Sequence, residues 1–220
     1  MNIKEYFSDW YYLLDIKELN YIINHLNPYN LCPHQSNVFK AFKLCAYKDL
    51  KVVFLGQDPY PQKDIATGIL FGNNITKEND LSPSLKVIKN CCIDYSIPHN
   101  NIIFDNSLES WAKQGILMLN SALTCEINKV GSHIMLWRNF IIYLIKMLSH
   151  RNFGIIYVLF GKQAQTFEPF INKDTNVIIK VNHPAYYARI NKDMPNIFKQ
   201  IDKLLINKYG ESIKWFTESL

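Results

Sequence analysis

The sequence predicts an α/β fold: three layers, α/β/α, around a central four-stranded parallel sheet. Three observations predict it. Residues 52–55, 115–119, 155–160 and 177–181 are short runs that are apolar almost throughout, which is how strands covered on both faces read. The segments between them carry apolar residues at helical spacing. Strands that alternate with helices make a parallel sheet with right-handed crossovers, so every strand delivers its C-terminal end to one edge. With 220 residues, 48% hydrophobic and 20% charged, and no internal repeat or linker, the chain reads as one domain over 1–220. Residues 1–50 form a helical N-terminal part and 51–209 the core.

Residues 10–26 repeat Tyr11, Leu14, Leu19, Ile22, Ile23 and Leu26 at helical spacing, and Asn27-Pro28 stops them. A second helix is expected over 36–47, with Ser36 as its N-cap. Val52-Val53-Phe54-Leu55 is a compact strand ended by Gly56. Helices over 84–95 and 107–113 precede the second strand. An apolar helix over 135–148 leads to the third, and a short helix over 163–171 to the fourth. An amphipathic helix over 196–209 follows, with Pro195 favourable near its start.

Composition excludes several classes. No run approaches the roughly 18 apolar residues of a membrane span, and the N-terminus lacks a basic head and an apolar signal core. A soluble intracellular protein with no membrane partner is therefore expected. The charge of +5 suits an anionic partner without demanding one. Five cysteines without a C-x-x-C pair argue against a disulfide framework or a zinc knuckle. Cys32-Pro33-His34 is half of a metal pattern whose second half is missing. No metal and no cofactor is expected.

The strand ends carry the chemistry. The first is followed by Gly56-Gln57-Asp58-Pro59-Tyr60-Pro61, the second ends in Asn120-Ser121, the third gives Gly161-Lys162 and the fourth Asn182-His183-Pro184. A carboxylate, an amide, a cation and an imidazole thus reach one rim, where open α/β sheets bind ligands. Each alone has an ordinary reading: an Asx turn at Asp58, a strand cap at Asn120, a turn residue at His183 and core packing for the aromatics.

These residues resemble a known family. GQDPYPQKDIATGILF (56–71) is similar to the GQDPYH…G-x-x-F loop of uracil-DNA glycosylases, without a gap. LSPSL (81–85) resembles the family's Pro-rich phosphate loop, and LMLNSALT (117–124) its LLLN-x-x-LT strand. Ser132-His133 with Trp137 resembles the segment that follows. Phe160-Gly161-Lys162 stands where the family has Gly-Ser, and His183-Pro184 where it has HPSPLS. The likeness runs in order from about Val52 to Leu205. It implies a uracil-DNA glycosylase-like fold and a monomeric, metal-independent enzyme of base excision repair. Such an enzyme flips deoxyuridine from single- or double-stranded DNA and hydrolyses its glycosidic bond. The resemblance makes Asp58 and His183 catalytic, the first stabilising the sugar cation and orienting water, the second donating to the uracil anion. Gln57, Tyr60, Phe71 and Asn120 would bind the base, Asn120 through its edge, Phe71 by stacking and Tyr60 by excluding a 5-methyl group. Ser82, Ser84, Lys162, Ala185, Tyr186, Tyr187 and Arg189 would hold DNA. A proteinaceous inhibitor or a replication protein is a further partner the resemblance admits. The compartment would be cytoplasm in a bacterium or phage, and nucleus or viral factory otherwise.

Three departures stand out. Pro61 replaces the His of GQDPYH, Lys162 a phosphate-gripping serine, and His183-Pro184-Ala185-Tyr186-Tyr187-Ala188-Arg189 the HPSPLS segment with its leucine wedge. Tyr187, or Tyr186, is the residue to fill the gap left by the flipped base. These features also resemble a divergent poxvirus-type branch whose members can serve as polymerase accessory subunits. That leaves a DNA-binding replication module as the alternative, which an exposed apolar face around Ile213-Lys214-Trp215-Phe216 would favour. A zinc base deaminase needs H-x-E and P-C-x-x-C, and a dinucleotide enzyme needs G-x-G-x-x-G; neither pattern occurs.

Overall fold

The computed structural model describes residues 3–75, 77–93 and 101–218. In chain order the helices are α1 (Ile3–Phe7), α2 (Ile16–His25), α3 (Lys40–Leu44), α4 (Pro83–Cys92), α5 (Glu109–Ala112), α6 (Ile134–Arg151), α7 (Gly161–Gln165), α8 (Pro184–Ile190) and α9 (Ile197–Tyr209). The strands are β1 (Val52–Gly56), β2 (Ile102–Ile103), β3 (Ile116–Asn120), β4 (Ile156–Phe160), β5 (Val177–Val181) and β6 (Thr217–Glu218). The main sheet has the order β3-β1-β4-β5, all parallel, with Gly56 opposite Asn120 and Phe160 opposite Val181. All four C-terminal ends therefore share one edge, and the chain changes direction across the sheet at β1, the place where such sheets bind ligands.

Period-two alternation divides the core in two. Val53, Leu55, Leu117, Leu119, Tyr157 and Leu159 face one side, packing on α2, α6 and the N-terminal segment with Trp10, Phe42 and Trp137. Val52, Phe54, Ile116, Met118, Ile156 and Val158 face the other, packing on α4, α9, Trp111 and Trp215. Strand residues buried on both sides explain why their runs do not alternate with polar residues. Trp215 packs edge-on against Trp111 and Phe198 at 4.9 and 4.8 Å. Its indole N–H donates to Asp202, and Trp111 donates to the Trp215 carbonyl. Ile213 and Trp215 are buried, so the C-terminal segment does not offer the apolar face that a partner surface there would need.

Several expected elements change. The 10–26 helix is two pieces: a 3₁₀ helix at Ser8–Leu13, an extended Leu14, and α2 capped by the Asp15 carboxylate accepting from Glu18 N–H. The cap won over the apolar spacing. The 36–47 helix begins as 3₁₀ turn Gln35–Asn37 with His34, not Ser36, as its side-chain cap. The 163–171 helix becomes α7 followed by a 3₁₀ turn at Glu168–Phe170. The 107–113 helix shrinks to α5, because Asp105 takes the N–H groups of Ser107 and Ser110. The 84–95 helix starts one residue earlier, at Pro83, and ends at Cys92, where Ile93 turns extended; position 95 itself lies outside the described residues. Cys32 pairs with Cys125 through both backbone N–H groups and donates its thiol to the Pro61 carbonyl, so the half metal pattern is used for bracing.

Candidate active site

Asp58 follows β1, and the loop carrying it is tied to the strand edge. The Gln57 carbonyl accepts from Ala122 N–H and from Ser121 Oγ, both at 2.9 Å. Residues 68–71 fold back over the end of β1, with Leu70 N–H donating to Met118 O. Gly56 permits that approach, because a Cβ there would meet Leu70 Cδ1 at 2.3 Å. Phe71 sits at φ +62°, a left-handed conformation costly for a bulky residue. That turn sets its ring edge-on to Phe160 and to the His183 imidazole, with centroids 5.0 and 5.5 Å apart.

A cavity of about 210 Å³ lies at this edge, lined by Asp58, Tyr60, Phe71, Ser84, Asn120 and His183, with Pro61 and Val130 at its walls. It falls below the roughly 300–1,000 Å³ of sites for drug-sized ligands and suits one small ring. Three larger hollows, beside α8, over the N-terminal helices and between Tyr47 and Tyr209, do not bring a carboxylate and an imidazole together.

Each polar group in the cavity is prepared differently. Asp58 accepts from Gln57 Nε2 at 3.1 Å and from the Gly131 backbone N–H. Burial pushes its pKa up, and the two donors oppose that rise. His183 caps α8, its Nδ1 accepting from Ala185 N–H at 3.2 Å. That acceptor role places the proton of the neutral ring on Nε2. Burial first, and the Arg189 charge second, hold its pKa below the ordinary histidine value. Asn120 ends β3 at 8% exposure, and its Oδ1 has no hydrogen-bond partner. Tyr60 donates to Phe71 O at 3.2 Å and meets Ser82 Oγ at 2.6 Å, and burial pushes its phenol up to about 12, so it stays neutral.

Six of the expected residues thus converge: Asp58, Tyr60, Phe71, Ser84, Asn120 and His183. Gln57 acts one step back, on Asp58. The others sort by exposure. Ser82 is spent as the α4 cap, accepting from Leu85 N–H and bonding Tyr60. The Ala185 amide is taken by His183. Tyr187 is 9% exposed and belongs to the core, which corrects its expected contact with DNA; Tyr186, 40% exposed on the same helix, is the accessible one. Lys162 and Arg189 are exposed on α7 and α8. The contact that sequence reasoning missed is Gly131 on Asp58, 73 positions away. The neighbouring Ser132-His133…Trp137 pattern pointed to the segment. His133 Nδ1 and Trp137 Nε1 both bond Thr124 Oγ1, at 2.9 and 2.7 Å, which anchors it.

Residues 42–205 match the uracil DNA glycosylase superfamily. A uracil-DNA glycosylase of Campylobacter jejuni subsp. jejuni is 36% identical over 193 residues, covering 84% of this chain and 80% of its own length. One of Buchnera aphidicola is 34% identical over 187 residues, covering 84% and 83%. In fold, the crystal structure of the mimivirus uracil-DNA glycosylase gives a TM-score of 0.74 at 24% identity, over 94% of this chain and 82% of that one. A variant of that protein in complex with UGI gives 0.75 at 21% identity, over 94% and 88%.

Proposed function

The chain belongs to the uracil DNA glycosylase superfamily, and from that premise we propose how this cavity releases uracil from DNA. The reaction is hydrolysis of the N-glycosidic bond between uracil and deoxyribose, the first step of base excision repair. The C1′–N1 bond breaks, its electron pair leaves with uracil, and water adds to C1′, giving free uracil and an abasic site. The nucleotide must leave the base stack to reach such a cavity.

In this reading the base lies beside Phe71 with Asn120 at its edge. What supports the placement is the Asn120 Oδ1, buried and unpartnered, which uracil N3–H would satisfy while Nδ2 donates to O4. Cytosine presents the reverse pattern at that edge, and each group left unpaired costs about 1–3 kcal/mol, roughly 5- to 150-fold in selectivity. The rigid Tyr60 ring limits space for a 5-methyl group. Asp58 stands on the sugar side, where its charge stabilises the oxocarbenium-like state and orients water. His183, neutral with its proton on Nε2, donates to uracil O2 as negative charge collects there. Ser84, Lys162 and Arg189 hold phosphate, and Tyr186 enters the stack in place of the flipped base. The partner is uracil-containing DNA. The inhibitor bound to the mimivirus protein is a ligand to test on the same rim.

The observation that carries the reading is that Asp58 and His183 line the same base-sized cavity. Its test is incubation, with chelator present, with labelled oligonucleotides carrying U, T or C, followed by alkaline cleavage. Abasic sites confined to U, lost in Asp58→Asn, support it; tight DNA retention without base release would reject it.

A further inference from the structure

Asp58 is held from two directions that differ in kind. Gln57, its neighbour, travels with the same loop. The Gly131 N–H comes from the 126–133 loop and is the fixed reference. Gly131 has φ +77°, and a Cβ there would meet Ile134 Cδ1 at 3.3 Å, so the turn is specified by its backbone. The loop closes on itself through Lys129 N–H to Glu126 O at 3.0 Å and Glu126 N–H to Ser132 Oγ at 2.8 Å. Asn128 N–H donates to Pro61 O at 2.9 Å, joining the loop to the segment that carries Asp58.

The remaining brace reaches in from the N-terminal part. Asn30 Oδ1 accepts from Ile127 N–H at 3.2 Å, and its Nδ2 donates to Glu126 Oε2 at 3.0 Å. One side chain thus fixes both a backbone donor and a carboxylate at the loop's base. Asn30 lies outside the cavity, 28 positions before Asp58. We propose that Asn30 is a positioning residue for the Asp58 carboxylate, acting through the 126–133 loop and the Gly131 amide. The inference rests on the reading of Asp58 as the catalytic carboxylate.

Asp58 is the natural reporter. Burial raises its pKa and the Gly131 N–H is the larger of the two opposing influences, so loosening the loop should raise it further. The other ionisable groups around it stay in place. Tyr60 and His183 share its cavity, Arg189 acts on His183, and Cys125, with Cys32 beyond it, lies behind its loop. Glu126, Lys129 and His133 belong to the braced loop itself.

The test is Asn30→Ala in the full chain. The Asp58 carboxyl is titrated by carbon NMR, its resonance assigned by its loss in Asp58→Asn, alongside the pH profile of uracil release and thermal melting. The expected result is an Asp58 midpoint higher by about half to one pH unit, given that each N–H on a carboxylate lowers its pKa by about that much. The acid limb of kcat should move with it, with KM for DNA unchanged. Ser132→Ala, an exposed position, removes the second brace without risk to the core and should shift the midpoint the same way. An unmoved midpoint in both variants, even with a lowered melting temperature, would overturn the proposal and leave Asn30 a stability residue. Absence of uracil release by the unaltered protein would instead reject the functional reading, and the NMR titration would still decide the positioning.

Discussion

His183 carries two roles on two nitrogens, and two substitutions separate them. Nδ1 accepts from Ala185 N–H and caps α8, which leaves Nε2 to carry the proton of the neutral ring that lines the cavity. An asparagine side chain ends near where Nδ1 sits, so His183→Asn keeps a good cap and loses the donor beyond it. His183→Ala loses both. One donor aimed at developing negative charge is worth about 10²–10³ in kcat, so both variants should slow uracil release by at least that factor. The cap is worth about 1 kcal/mol, or about 2–4 °C in melting temperature for a chain of this size. His183→Ala alone should show that loss. The assay is single-turnover release from a uracil-containing oligonucleotide, paired with calorimetry. Retention by His183→Asn of activity within tenfold of the parent would refute the donor role, and equal melting of the two variants would refute the cap. The pH sign follows from the lowered folded pKa: the unfolded chain binds the proton more readily. Stability from this group is full above about pH 6.5, the unfolded value, and is lost as pH falls toward and through the depressed folded value.

Further outcomes are expected. Tyr186→Ala should reduce release from duplex DNA more than from single strands, since only the duplex needs its gap filled; equal loss on both would remove the wedge, and Tyr187→Ala should act through stability instead. Asn120→Asp should weaken discrimination against cytosine, read as the ratio of kcat/KM on U and C oligonucleotides. Asp58→Asn should abolish most activity yet melt at the same or a higher temperature. Its carboxyl has a folded pKa above the unfolded one, so its ionisation at neutral pH costs stability that the amide does not. By the same sign, the acid limb of the parent's kcat/KM should lie above pH 3.9, the free aspartate value.

The parts of the fold that were legible are those set by local, strongly apolar sequence. The four sheet strands fall within one residue of their expected starts, because residues such as 52–55 must be buried on two faces wherever they sit. Helix starts were legible at α9, where Asn196 accepts from Lys199 N–H, and at α6, which begins one residue before its expected start without a side-chain cap. Helix α8 was not, since Pro184-Ala-Tyr-Tyr carries no apolar period and a His-Pro pair reads as a turn. The β2–β6 pair was out of reach: two residues on each strand meet across more than a hundred positions. In the site, the meeting of Asp58, Asn120 and His183 at one sheet edge was legible through motif order. The choice between Tyr186 and Tyr187 was not, because it depends on which face of a seven-residue helix meets the core.

The same contrast bears on what the site is for. Below the strand ends the sheet is largely apolar and buried on both faces, with the unpartnered Tyr157 hydroxyl as a polar cost inside it. At the strand ends the costs gather: a desolvated carboxylate at Asp58, an unpartnered amide oxygen at Asn120, and a left-handed phenylalanine at Phe71. Each is unfavourable to the empty protein by an amount that packing elsewhere must offset. Comparable costs occur elsewhere, in the unpartnered Tyr157 hydroxyl and Asn106 amide oxygen and in the left-handed Leu108, but these three meet in one cavity of about 210 Å³. A group left unsatisfied in the free protein and satisfied by ligand contributes selectivity as well as affinity, because a wrong base leaves it unsatisfied still. Three such terms meeting in one cavity fit the proposed site, in which uracil would satisfy the Asn120 oxygen and cytosine would not.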